Sequence, residues 1–154
     1  MKLYLVQHGE AVPESQDPSR PLTDKGRREA ERVAQHIAKL GIHMDKILHS
    51  GKLRAAQTAE IFAQHLKPSR GFEQADALEP LADPKTWADR LLNIKEDLML
   101  VGHLPHLSKL AGLLLTGSPD IEPIKFRMAG VLCLERDVKG KWALLWMLTP
   151  ELVV

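Results

Sequence analysis

The sequence predicts an α/β fold: a mainly parallel sheet flanked by helices on both faces, with an antiparallel C-terminal hairpin at the edge. Three observations carry this reading. Short apolar runs alternate with stretches of helical periodicity at least three times, and that alternation builds parallel strands joined by crossover helices. The run Asp97 to Val101, DLMLV, and the opening LYLV are apolar without alternation, as strands covered on both faces must be. The chain finishes with two strand-like runs around Val138-Lys139-Gly140, the composition of a hairpin turn.

Each element has its own signal. Lys2 to Val6 is the first strand, and the Pro- and Ser-rich PESQDPSRP from Pro13 to Pro21 is a loop. Thr23 caps a helix that runs to about Leu40. Ala30, Val33, Ala34, Ile37 and Leu40 form its apolar stripe, and Gly41 closes it. The mixed charges of RREAER lie on the opposite, solvated face. Lys46 to His49 is a second strand. Ser50 and Gly51 turn the chain into a helix from Lys52 to about Leu66. Pro68 to Ala82 is irregular, with room for one short strand, and Pro84 to about Asn93 is a third helix. Another strand ends at Val101, and a fourth helix runs from Pro105 or His106 to Leu115. The last strands cover about Ala129 to Arg136 and Lys141 to Leu148. No repeat, low-complexity tract or linker divides the 154 residues, so a single domain spanning 1–154 is expected.

Composition narrows the function. The chain is 44% hydrophobic and 27% charged, with 21 Lys and Arg against 20 Asp and Glu. A formal net charge of +1 gives no field to attract nucleic acid or an anionic membrane. No apolar run approaches the ~18 to 20 residues of a membrane span. Gln7, His8 and Glu10 interrupt the apolar N-terminus, so it lacks signal-peptide shape. The single Cys133 rules out an internal disulfide and fits a reducing cytoplasm. Its place in VLCLE makes it a packing residue.

In sheets of this kind ligands bind beyond the carboxyl ends of the strands. Three strands end there in polar groups. The first presents Gln7, His8 and Gly9; the second presents Ser50, with Arg54 one turn further on; the third presents Gly102 and His103. Two imidazoles, one guanidinium and a helix N-terminus on one rim suggest an anion site. Arg54 offers a fork for phosphate oxygens. A neutral imidazole is a competent nucleophile toward phosphorus if its other nitrogen is held by a hydrogen bond. Gly9 lets the backbone turn close to a ligand. His8 as nucleophile, with Arg54 and His103 stabilising phosphoryl charge, is a coherent mechanism that needs no metal or cofactor. His103 and His106 in HLPH offer a metal pair, but Pro105 spoils helical ligand spacing and no Cys or clustered Asp completes a shell. His36, His43, His49 and His65 have no such placement.

Four segments carry a family resemblance: LVQHGEA, SRPLTDKGRREA, HSGKLRAAQTAEIF and LVGHLPHLSKLA. In that order they resemble the signature blocks of the histidine phosphatase superfamily, the phosphoglycerate-mutase-like proteins. The short length and the RPLT block are most similar to the phosphohistidine phosphatases of the SixA type. The resemblance implies that His8 becomes phosphorylated, that Arg54 and His103 hold the phosphoryl oxygens, and that Arg20 is a further phosphate contact. It also makes Glu79, in ALEPL, the nearest match to the acidic proton donor of some relatives; an exposed loop carboxylate is the other reading. The implied substrate is a phosphohistidine on a histidine-phosphotransfer type of protein. A small-molecule phosphate ester is an alternative, as is a phosphoprotein-binding domain without turnover.

The chain departs from the family pattern at one place. The family has Arg-His-Gly where this chain has Gln7-His8-Gly9. A glutamine still donates hydrogen bonds, but it carries no charge and cannot grip bidentately. Losing one preorganised donor at a developing oxyanion typically costs roughly 100- to 1000-fold in rate. Three accounts of this substitution stay open: a slow enzyme, compensation by another cation such as Arg20 or Lys52, or a site that binds phosphate or a phosphorylated partner without turnover.

Overall fold

The computed structural model describes residues 1–153. Strands are β1 (Lys2–Gln7), β2 (Lys46–His49), β3 (Phe72–Gln74), β4 (Leu98–Gly102), β5 (Val131–Arg136) and β6 (Trp142–Leu148). Helices are α1 (Asp24–Lys39), α2 (Leu53–Leu66), α3 (Pro84–Leu91) and α4 (His106–Thr116), with a short 3-10 turn at Pro150–Leu152. The six strands form one sheet in the order β3-β2-β4-β1-β5-β6. β1, β2, β3 and β4 are parallel, while β5 and β6 are antiparallel additions. The predicted mixed sheet and its C-terminal hairpin are therefore both present.

The non-alternating apolar strands are explained by their two faces. Tyr4 and Val6 of β1, Met99 and Val101 of β4, and Val131 and Cys133 of β5 pack against α1 and α2. Leu3 and Leu5, Leu98 and Leu100, and Leu132 and Leu134 alternate with them and pack against α3 and α4. Burying each aliphatic side chain contributes roughly 1.5–3 kcal/mol, and both faces gain. Cys133 is wholly buried, and burial pushes its thiol up to about 11, which leaves it a packing residue.

Helix ends follow their local chemistry, with a few shifts from expectation. Thr23 Oγ1 accepts from the Gly26 N–H at 3.0 Å and caps α1. Leu40 stands past the end of α1 as its C-cap, 60% exposed rather than in the core, because the stripe ends at Ile37. Gly41 follows at φ +71°, the left-handed turn that ends the helix. Lys52 caps α2 rather than beginning it, and α3 stops at Leu91, two residues short of Asn93. β5 starts at Val131, since Ala129 is held at φ +61°.

One close approach fixes the loop after β1. A Cβ on Gly26 would lie 2.2 Å from the Glu10 carbonyl oxygen, so the first turn of α1 crosses the loop backbone to backbone. Thr23 Oγ1 also donates to Glu10 Oε2 at 2.7 Å. The segment following His8 is thus clamped to α1.

Candidate active site at the carboxyl edge of the sheet

The site begins where β1 ends. Gln7 pairs with Gly102 of β4, and the next N–H, of His8, still donates to the Gly102 carbonyl at 3.0 Å. His8 and His103 therefore leave adjacent parallel strands one step apart. Their rings lie 5.0 Å apart at 52°. Both are buried, His8 at 8% exposure and His103 at 1%.

The tautomer of His8 is fixed from both sides. Its Nδ1 lies 2.7 Å from the Gly9 carbonyl, which can only accept, so Nδ1 carries the proton. Arg54 Nε–H donates to Nε2 at 3.3 Å, which agrees with a lone pair there. Gly9 is held in turn: its N–H donates to Thr58 Oγ1 at 3.0 Å, and the Thr58 hydroxyl donates to the Arg54 carbonyl at 2.8 Å. Arg54 and Thr58 stand four apart on α2, on one helix face. A closed ring of contacts thus joins imidazole, glycine, threonine and arginine. A Cβ on Gly9 would meet Gly26 O at 3.0 Å and Leu22 Cδ2 at 3.2 Å, so its missing side chain makes room for α1.

Electrostatics keep both rings neutral. Burial lowers His8 to about 4, the bond to Gly9 works against this, and the charges of Arg54 and Arg20 lower it further. Burial lowers His103 to about 3, with His8, Arg54, Lys52 and His106 adding in the same direction. Arg54 is itself lowered by burial and by Arg20. The two imidazoles face three cations.

The other predicted residues distribute as follows. Arg20 comes close enough to act on both His8 and Arg54; its backbone is at φ +49° and its Nε–H donates to the Val12 carbonyl at 3.1 Å. Gln7 is half-buried at the end of β1, and its carbonyl accepts from the Ala129 N–H at 2.9 Å. Ser50 Oγ lies 2.6 Å from His103 Nε2 and accepts from the Lys52 N–H at 3.3 Å. Glu79 is exposed, and its charge and that of Asp83 oppose the lowering of the buried His106.

Sequence reasoning missed Thr58, and it weighed His106 only as half of a metal pair with His103. The i, i+4 spacing from Arg54 in LRAAQT was the available signal for Thr58. His106 is wholly buried with both ring nitrogens unpartnered, as is His103 Nδ1, and burial lowers its pKa. Its spacing from His103 in HLPH gave no sign of this burial. Among the described residues no three His, Cys, Asp or Glu gather to hold a metal, and no helix is long and apolar enough to cross a membrane. A cavity of about 470 Å³ lies elsewhere, between α3, α4 and the β5–β6 turn, lined by Leu92, Leu113 and Trp142. Asp83, Lys85 and Asp89 also line it, but it holds no histidine or arginine, so the chemistry is placed at the histidine pair.

The fold is phosphoglycerate-mutase-like: parallel strands deliver two histidines to one edge, with an arginine from the following helix beside them. A family model described as the histidine phosphatase superfamily (branch 1) matches residues 3–81. The chain belongs to that superfamily, and this membership supports phosphatase activity. An uncharacterized protein of Picosynechococcus sp. is 34% identical over 143 residues, covering 87% of this chain and 84% of its own. The phosphohistidine phosphatase SixA of Escherichia coli (strain K12) is 24% identical over 155 residues, covering 97% of this chain and 94% of its own. A solved structure of the protein histidine phosphatase SixA complexed with tungstate superposes with a TM-score of 0.85 at 25% identity, covering 97% of both chains.

Proposed function

We propose that this protein is a phosphohistidine phosphatase that acts on a phosphorylated protein through a covalent intermediate on His8. The observation that carries the reading is the His8 ring: proton on Nδ1, lone pair on Nε2, neutral, and beside Arg54. In the first step the Nε2 lone pair forms a bond to phosphorus while the P–N bond to the substrate imidazole breaks. The leaving nitrogen keeps the bonding pair and takes a proton from water. Arg54 Nε–H gives up Nε2 as phosphorus arrives and turns to a phosphoryl oxygen, with Arg20 and His103 as further partners. In the second step water attacks phosphorus, the P–Nε2 bond breaks with its pair returning to Nε2, the proton shed by the attacking water neutralises the hydroxide left by the first step, and inorganic phosphate leaves.

Neither imidazole of the pair is hydrogen-bonded to a carboxylate: His8 meets the Gly9 carbonyl and Arg54, and His103 meets Ser50. An alkoxide leaving group needs a positioned proton donor, whereas an imidazole leaves readily once protonated. The site therefore favours a phosphoramidate over an ester. The SixA neighbour, by its name a phosphohistidine phosphatase, supports the same choice. On this reading the protein is one domain, and Gln7 stands where the family's arginine would contact phosphate.

The test is rapid quenching with a phosphorylated histidine-phosphotransfer protein, followed by mass spectrometry of the enzyme. Wild type should carry phosphate on His8 and release it over many turnovers, and His8→Ala should do neither. Full turnover by His8→Ala would remove His8 from the mechanism. Binding without release would make this a phosphoprotein-binding domain.

A further inference from the structure

Large apolar side chains left in water are ordinary when scattered singly, but a group that converges on one place marks a contact surface. Four of them stand on segments that meet at the carboxyl edge of the sheet. Leu53 is the first residue of α2, next to Arg54, and is 39% exposed. Leu104 follows His103 directly and is also 39% exposed. Met128 is 40% exposed, and its backbone bridges Gln7 at the end of β1. Leu81 is 88% exposed in the loop after β3. That loop is brought to the same edge by Leu78, whose carbonyl lies 3.4 Å from where a Cβ on Gly102 would stand. Leu53, Leu104 and Met128 are thus chain or bridge neighbours of Arg54, His103 and Gln7, and Leu81 lies three residues past Leu78 at the same edge.

We propose that Leu53, Leu81, Leu104 and Met128 form a docking collar for the face of a folded protein on which the substrate phosphate stands. This rests on the reading of the site as a protein phosphohistidine phosphatase. A small phosphate ester or a free phosphoramidate brings too few apolar atoms to cover four side chains from separate loops. A helix surface carrying the phosphohistidine covers them with its own aliphatic residues. Charge selects the same partner: Arg54 acts on both imidazoles, Arg20 on His8 and Lys52 on His103, and a phosphohistidine flanked by carboxylates complements them.

The closing experiment uses the full chain with Leu81→Ser and Met128→Ser combined. Both side chains are exposed, and neither belongs to the catalytic set. Two substrates are compared, a phosphorylated histidine-phosphotransfer protein and phosphoramidate. The collar predicts that kcat/KM for the phosphoprotein falls roughly 10- to 100-fold, mostly through KM, as losing two aliphatic contacts should. Turnover of phosphoramidate should stay within about twofold, since the chemistry is untouched. An unchanged rate on the phosphoprotein, or an equal fall on both substrates, overturns the collar alone. Wild type that hydrolyses phosphoramidate but never the phosphoprotein overturns the protein-substrate reading and the collar with it.

Discussion

Replacing Thr58 by valine tests whether the contact ring around His8 holds the nucleophile in its reactive tautomer. The side chain is wholly buried and nearly isosteric with valine, so the change removes a hydroxyl and little volume. Two bonds go with it, from the Gly9 N–H at 3.0 Å and to the Arg54 carbonyl at 2.8 Å. The Gly9 N–H is then buried without an acceptor, which costs about 1–3 kcal/mol. At about 2–4 °C per kcal/mol for a chain of this size, the midpoint of thermal unfolding should drop by roughly 2–12 °C. Activity should fall further than stability explains. The residue that loses its anchor also presents its carbonyl to His8 Nδ1, so a loosened Gly9 lets the proton move to Nε2 and silences the attacking lone pair. Calorimetry and kcat for phosphoramidate, measured well below the new midpoint, give the two readouts, with Thr58→Ser restoring the oxygen as a control. Valine with the wild-type midpoint and wild-type kcat would refute the ring as a positioning device.

Two further outcomes follow from the same geometry. His8 is lowered to about 4 and His103 to about 3, while the unfolded chain protonates both near 6.5. Their contribution to stability is therefore complete above pH 6.5 and is lost as pH falls toward 4 and 3. The loss is about 2–3 kcal/mol per ring by pH 4.5. Denaturant midpoints at pH 7 and 4.5 should differ accordingly, and a His103→Gln variant should flatten the difference; equal midpoints in wild type would mean that the rings are not held neutral. Gln7→Arg adds a cation at the end of β1 and should raise phosphatase turnover roughly 10- to 100-fold. An unchanged or lower rate would show that Arg20 and Arg54 already fill that role.

The chemistry-bearing residues were legible because strand ends are legible. A fully apolar run can only be a strand covered on both faces, and its last residue must stand at the sheet edge. His8 and His103 each follow such a run, and Arg54 follows β2 by one helical turn. Side-chain pattern and chain direction were enough to place these three residues at one edge.

What the linear pattern determined was the alternation of strands and helices, their two covered faces, and which polar residues stand at the strand ends. Only the tertiary structure decided strand order, and with it that β1 and β4 are neighbours, so that two histidines 95 positions apart come within 5.0 Å. It likewise decided that Gly9 makes room for α1 and that Thr58 closes the ring behind the nucleophile. The physical reason is range. Periodicity and capping act within a few residues along the chain, whereas hydrogen bonds, burial and fields act through space between segments that the sheet alone brings together.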